Sequence, residues 1–176
     1  MNWNMETDHL RVRLPVTDTD GDALFELLKD PDVSAHVPKA PMFASVQGLD
    51  ELRRATMQFQ ARQGVTWLVE RQQGDGVLLA RVRLSQINWM TLSAQVQWEL
   101  SPTLTDAELD EAMFAVHRFC FGELSIHRLD MRIRPGADAH TAHLKRLGYE
   151  YEGCLPAQLE FEDEWVDQEI YSLLSN

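Results

Sequence analysis

Glu99–Phe119, "ELSPTLTDAELDEAMFAVHRF", carries an unusual density of groups able to do chemistry. It reads as a strand end, a short turn and an amphipathic helix. Such junctions hold phosphates, because a helix N-terminus presents free N–H groups and the positive end of a dipole. Between Leu104 and Ala112, however, there is no glycine, lysine or arginine, and there are the carboxylates Asp106, Glu108, Asp110 and Glu111. Thr105-x-x-Glu108 matches a capping box, in which Thr105 accepts the Glu108 N–H and Glu108 reaches back. The sequence therefore predicts a helix that satisfies its own first turn. Further on, His140 and His143 sit one helical turn apart, a metal-pair spacing without a nearby third ligand, so no metal site is expected.

Sixteen basic against twenty-eight acidic residues give a net charge of −12 over 176 residues. That balance argues against nucleic acid, whose binding needs basic patches, and suits a cationic partner such as an amine. Cys120 and Cys154 show no metal or redox spacing, which fits a reduced, cytoplasmic setting. The polar opening "MNWNMETDHL" lacks the apolar core of a leader, and no run is long enough to span a membrane. One soluble domain over 1–176 is expected.

Leu10, Val12 and Leu14 alternate as a half-buried strand. A helix follows in "TDTDGDALFELLKDPDV", with Asp18 or Asp20 near its cap and Leu24, Leu27 and Leu28 inward, stopped by Pro31. "ASVQGLDELRRATMQFQARQG" is a second helix, with Leu49, Leu52, Met57 and Phe59 as core candidates. Runs at Thr66–Arg71, Val77–Leu84 and Ser93–Leu100 then alternate with period two, the first two joined by a hairpin signal at Gly74–Gly76. After the acidic helix come a strand in "HRLDMRIRPG" and a short helix in "DAHTAHLKRLG" with Asp138 at its cap. Two strands around Asp163–Glu164 complete the chain. The order β-α-α-β-β-β-α-β-α-β-β defines an α/β fold of mixed sheet and flanking helices.

That order resembles the GNAT superfamily of acyl-CoA-dependent N-acetyltransferases, within it the ribosomal-protein N-terminal acetyltransferase-like branch. The matching pieces are "TDHLRVRLPVTDTDGDALFELLKDPDV", "SAQVQWELSP", "FGELSIHRLDMRI", "LKRLGYEYEG" and "EWVDQEIYSLL". The resemblance implies a mixed, mostly antiparallel sheet whose fourth and fifth strands splay apart. The pantetheine arm of acetyl-CoA would lie along the fourth strand at Trp98, Glu99 and Leu100. Its diphosphate would lie on the loop that aligns with Leu104-Thr105-Asp106-Ala107-Glu108-Leu109. The family pattern there is Q/R-x-x-G-x-G/A, and this chain departs from it at every polar and glycine position. Ala107 adds a Cβ where the backbone must approach closely. A carboxylate about 6 Å from a phosphate would add roughly 3 kcal/mol of repulsion at an effective dielectric of about 20.

A later helix usually lends Asn and Ser to the cofactor; these positions fall on Ala137 and His140. The resemblance makes Glu99 the carboxylate best placed as general base, and His140 a candidate hydrogen-bond partner or proton donor. Gln95 stands where relatives often carry Glu. Strand alternation leaves Glu99 open to a second role as a solvated side chain. Tyr149 and Tyr171 read as packing residues, and Trp67, Trp89 and Trp165 as core or rim aromatics. The implied acceptor is a primary amine, such as a protein N-terminus or a cationic small molecule, selected by the first helices and by His36–Phe43. A homodimer is one assembly such families adopt. Loss of both cofactor patterns keeps open a reading of another class, a catalytically inactive binding module.

Overall fold

The computed structural model describes residues 1–176. Its strands are β1 (Met5–Glu6), β2 (Leu10–Arg13), β3 (Val65–Arg71), β4 (Ala80–Asn88), β5 (Ser93–Leu100), β6 (Arg128–Ile133), β7 (Glu150–Phe161) and β8 (Glu164–Leu174). The helices are α1 (Thr17–Leu28), α2 (Ser45–Gln60), α3 (Asp106–Arg118) and α4 (Asp138–Arg146). One eight-stranded sheet runs β1-β2-β3-β4-β5-β6-β8-β7. Only the β5–β6 pair is parallel, because α3 crosses between those strands. The expected order is present with one addition: β1 extends the edge beyond β2.

The two faces of the sheet are packed differently. Against α3 and α4 lies the large core, including Trp67, Trp98, Met113, Val116, Leu144 and Tyr149. On the opposite face, α1 and α2 press a smaller cluster of Leu24, Leu28, Leu52, Leu68 and Leu78 onto β3 and the segment before β4. No residue of β5 or β6 belongs to that second cluster, so their face on the α1–α2 side lacks an apolar cover. No helix is long and apolar enough to cross a membrane.

Several local expectations are corrected. Asp18 and Asp20 lie in the first turn of α1 as expected, but the cap residue is Val16: the Asp20 carboxylate accepts the Val16 N–H at 2.6 Å and the Arg13 guanidinium at 2.7 and 2.8 Å. Met57 is 67% exposed, because the buried stripe of α2 runs through Gly48 and Leu52 instead. Strand β4 begins at Ala80 rather than Val77, so Gly74–Gly76 lies in a wider loop than a tight hairpin. The cap of α4 is Ala137, not Asp138. The last turn falls one residue early, on Glu162 and Asp163, both at positive φ (51° and 63°). Past Arg118, α3 continues as a π-turn at Phe119–Glu123 that buries Cys120.

Helices α1 and α2 approach most closely where Gly48 faces Gly21. A Cβ added to Gly48 would fall 2.2 Å from the Gly21 carbonyl oxygen, a distance no side chain tolerates. Gly48→Ala should therefore destabilise the fold by about 1–3 kcal/mol or more through overpacking. Urea denaturation measures this; an unchanged midpoint would contradict the close crossing.

Candidate functional site

Strands β5 and β6 pair only from Ser93–Arg128 to Gln95–Asp130. Beyond that point they diverge, and β5 continues to Leu100 beside an open wedge. Two backbone groups of Trp98 face the wedge, and side chains satisfy both. The Trp98 N–H donates to Gln97 Oε1 at 3.1 Å, while Gln97 Nε2 donates across the gap to the Arg132 carbonyl at 2.9 Å. The Trp98 carbonyl accepts from His36 Nε2 at 2.6 Å, and the His36 carbonyl accepts the Arg134 N–H at 2.8 Å. Gln97 and His36 thus bridge two strands that no longer bridge each other.

His36 reaches this place from the segment after α1, where Asp30 caps a short 3-10 turn at Pro31–Ser34. Its imidazole is 1% exposed and stacks on that of His140, with centroids 3.8 Å apart and planes 17° from parallel. His140 Nδ1 accepts the Trp98 indole N–H at 3.0 Å. These bonds assign tautomers: His36 carries its proton on Nε2, and His140 on Nε2 as well. Burial lowers both rings below the usual histidine value, His140 to about 3. His36 Nδ1 has no hydrogen-bond partner. The wedge is filled by two neutral, stacked imidazoles.

Glu99 shares a face of β5 with Gln97, two residues away, and turns toward Arg81 and Arg83 of β4. It is fully buried, not solvated. Its carboxylate accepts from Arg81 at 2.7 and 3.0 Å and from Arg83 at 2.7 Å. Burial alone would raise its pKa, but Arg81 and Arg83 overcome that and hold it at about 2. Arg81 also donates to Glu51 of α2 at 2.9 Å, and Glu51 meets Lys39 at 3.3 Å. Burial beside Arg81 pulls Lys39 down to about 8. Glu99 is thus the centre of a buried ion cluster tying β5 and β4 to α2. Neither it nor His140 is a group ready to move a proton at neutral pH.

The start of α3 carries the expected capping box: Glu108 N–H to Thr105 Oγ1 at 3.2 Å, Thr105 N–H to Glu108 Oε2 at 3.0 Å. Its negative charge is more evenly countered than the sequence suggests. Arg71 of β3 donates to both oxygens of Glu108, at 2.6 and 3.0 Å. Arg146 of α4 pairs with Asp110 at 2.8 Å and reaches Asp106 at 3.6 Å. Glu111 accepts the His9 N–H at 2.8 Å. Each acid fastens α3 to a neighbour. Between this helix start, the end of β5 and α4 lies a cleft of about 260 Å³, lined by Leu100, Thr105, Asp106, Leu109, His140 and His143 among others. Ala107 follows Asp106 in the first turn.

The structure thus brings together Trp98, Leu100, Thr105, Asp106, Leu109 and His140 around one wedge and cleft, with Ala137 at the cap of the α4 helix that carries His140. Glu99, next to Trp98 in β5, is committed to Arg81 and Arg83. Tyr149 and Tyr171 are buried, Tyr149 bonding His117 at 2.8 Å. Trp67 is core, whereas Trp89 and Trp165 are exposed. Sequence reasoning missed Gln97 as a bridge and His36 as a wedge residue. It also missed the arginines at 81 and 83, whose i, i+2 spacing in β4 places them on one face, and those at 132 and 134 at the end of β6.

Residues 9–150 match the acetyltransferase (GNAT) domain family. The chain is 21% identical over 171 residues to an uncharacterized N-acetyltransferase, YoaA, of Bacillus subtilis strain 168, covering 97% of this chain and 96% of that protein. Its shape matches ribosomal-protein-S5-alanine acetyltransferase of Vibrio fischeri, with a TM-score of 0.83 at 17% identity over 98% of this chain and 97% of that one. It also matches Mycobacterium smegmatis RimJ, solved in complex with CoA-disulfide, with a TM-score of 0.81 at 16% identity over 94% and 82%. The chain belongs to the GNAT acetyltransferase family, whose members use acetyl-CoA.

Two outcomes test this electrostatic picture. Glu99→Gln leaves Arg81 buried without its main counter-charge, and should cost about 3–5 kcal/mol in denaturant unfolding. A loss below about 1 kcal/mol would mean that the cluster is well hydrated. For His140, the folded pKa is depressed to about 3 from 6.5. Below pH 6.5 the unfolded chain therefore takes up a proton that the native chain refuses, and stability falls with pH until about pH 3. Between pH 7 and 5 the wild type should lose stability more steeply than His140→Gln, by up to about 1 kcal/mol per pH unit. Parallel slopes would contradict the neutral, buried imidazole.

Proposed function

We propose that this chain is an acyl-CoA-dependent N-acetyltransferase acting on a primary amine, and that its cofactor groove is closed by its own side chains. The observation that carries the reading is the free edge of β5 at Trp98. One N–H donor and one C=O acceptor face the wedge there, and the Gln97 amide and the His36 ring occupy them. An extended arm bearing amides has the complementary donor and acceptor, so the wedge fits pantetheine once these two side chains turn away. The bound thioester would supply an activated acetyl group.

The chain's own part is to hold and exclude. The Trp98 backbone would fix the arm, and the apolar ends of Leu100 and Leu109 would line it. The two candidate proton carriers are not poised for it: burial holds His140 near 3, and Arg81 and Arg83 hold buried Glu99 at about 2. The amine must then enter neutral or lose its proton to water. The first turn of α3 fits a diphosphate poorly, since its Glu108 N–H is committed to Thr105 and carboxylates flank it.

The same two features, the filled wedge and the self-capped helix, support a second reading as an inactive binding module. Calorimetric titration with acetyl-CoA separates the two. His36→Ala removes the ring from the Trp98 carbonyl and should bind at least about tenfold more tightly than wild type, equivalent to about 1.4 kcal/mol. Absence of binding by both proteins at millimolar acetyl-CoA would favour the inactive reading.

A further inference from the structure

Across the part of the sheet that the α1–α2 apolar cluster does not cover, the chain sets a row of guanidinium groups. Arg83 pairs in register with Gln97, and Gln95 with Asp130, so all four side chains share one face. Arg132 follows Asp130 at i+2 and continues it, and Arg134 comes just past the end of β6. These positions are half-buried and belong to neither apolar cluster. The Nε atoms of Arg83, Arg132 and Arg134 are buried and bond to nothing.

The row is short of anions. Arg83 shares Glu99 with Arg81, and Arg132 reaches Asp130 only at 3.8 Å. Arg134 makes no ion pair and lies over the Phe161 ring at 5.6 Å. The other cations without an ion pair, such as Arg62, Arg118 and Lys145, are exposed and hydrated, whereas Arg134 is half-buried. A half-buried guanidinium without a partner is costly, and a carboxylate is its best geometric match. The arrangement opposes the −12 charge of the whole chain, so it is a local feature and not a consequence of composition.

The row borders the wedge. The Arg132 carbonyl accepts from Gln97, and the Arg134 N–H donates to His36, the two residues that close it. We propose that this face binds the acceptor, and that the acceptor is an acidic peptide whose free N-terminal amine points into the wedge while its carboxylates meet Arg83, Arg132 and Arg134. Neighbouring strands are about 4.8 Å apart, so β4 to β6 spans about 10 Å before any splay. One carboxylate cannot serve both ends of the row, whereas an extended peptide covers it in about three residues. This proposal rests on the acetyltransferase reading only for the amine's fate; binding stands apart from it.

The test uses fluorescently labelled pentapeptides with a free N-terminus, one carrying Asp and Glu at positions two to four and one carrying Asn and Gln there. Anisotropy is read without acetyl-CoA at low and high salt. The acidic peptide should bind at least tenfold more tightly than the neutral one, with the advantage shrinking in salt. Arg132→Gln with Arg134→Gln should abolish the preference while the thermal midpoint stays within a few degrees. Equal binding of the two peptides, a preference that survives the double substitution, or free glutamate competing as well as the peptide would each overturn the proposal. Acetyl transfer is assayed in parallel with both peptides. Binding of the acidic peptide without transfer to either would sink the enzyme reading and leave the acceptor surface standing. Equal transfer with equal binding would do the reverse.

Discussion

The constraint on which this architecture turns is the fate of two backbone groups. Where β5 leaves β6, the N–H and carbonyl of Trp98 lose the partner that a continuous sheet would give them. A buried polar group without a hydrogen bond costs about 1–3 kcal/mol, so something must take each one. Gln97 folds its amide into the gap, and His36 is carried in from the opposite layer. The stacked His140, the Trp98 indole bond and the course of the segment after α1 all follow from this repair. A polar plug of this kind differs from an apolar core: its bonds can be handed to another molecule with the same donors and acceptors.

Charge is organised with the same economy of partners. The acids that crowd the start of α3 are fasteners, reaching Arg71 on β3, Arg146 on α4 and the backbone at His9. The buried group Arg81–Glu99–Arg83 joins adjacent strands and, through Glu51, secures α2 over them. Among the half-buried guanidinium groups, Arg134 is the one without an ion pair, and its backbone N–H bonds His36 beside the wedge. A strongly acidic protein thus keeps a cationic face where its backbone is most open.

Much of the fold was legible because hydrophobic period reports burial directly. Ser93–Leu100 alternates without interruption, and the strand is found with those bounds. The Thr105–Glu108 capping box was equally plain, since it needs only two residues at fixed spacing. Met57 misled because a helical stripe has two equivalent registers, and the close contact at Gly48 chose the other. Glu99 misled more seriously: alternation assigns a face but not what covers it, and the lid comes from residues far away in sequence, Arg81 and α2. The role of His36 was illegible for the same reason, as its partner Trp98 is 62 positions away. The alternating arginines were the one missed signal available locally, because charged residues at i, i+2 in a strand must share a face.

The glycine crossing has a mechanical consequence. With α1 and α2 in backbone contact at Gly21 and Gly48, neither can slide without breaking the other's packing. The connector between them is also nailed down, by Val33 and Met42 in the apolar cluster and by the Met42 N–H on the Leu28 carbonyl at 3.0 Å. The withdrawal of His36 from Trp98 that the proposed function requires would therefore fall to the short stretch from Ser34 to Pro41, between two anchored ends.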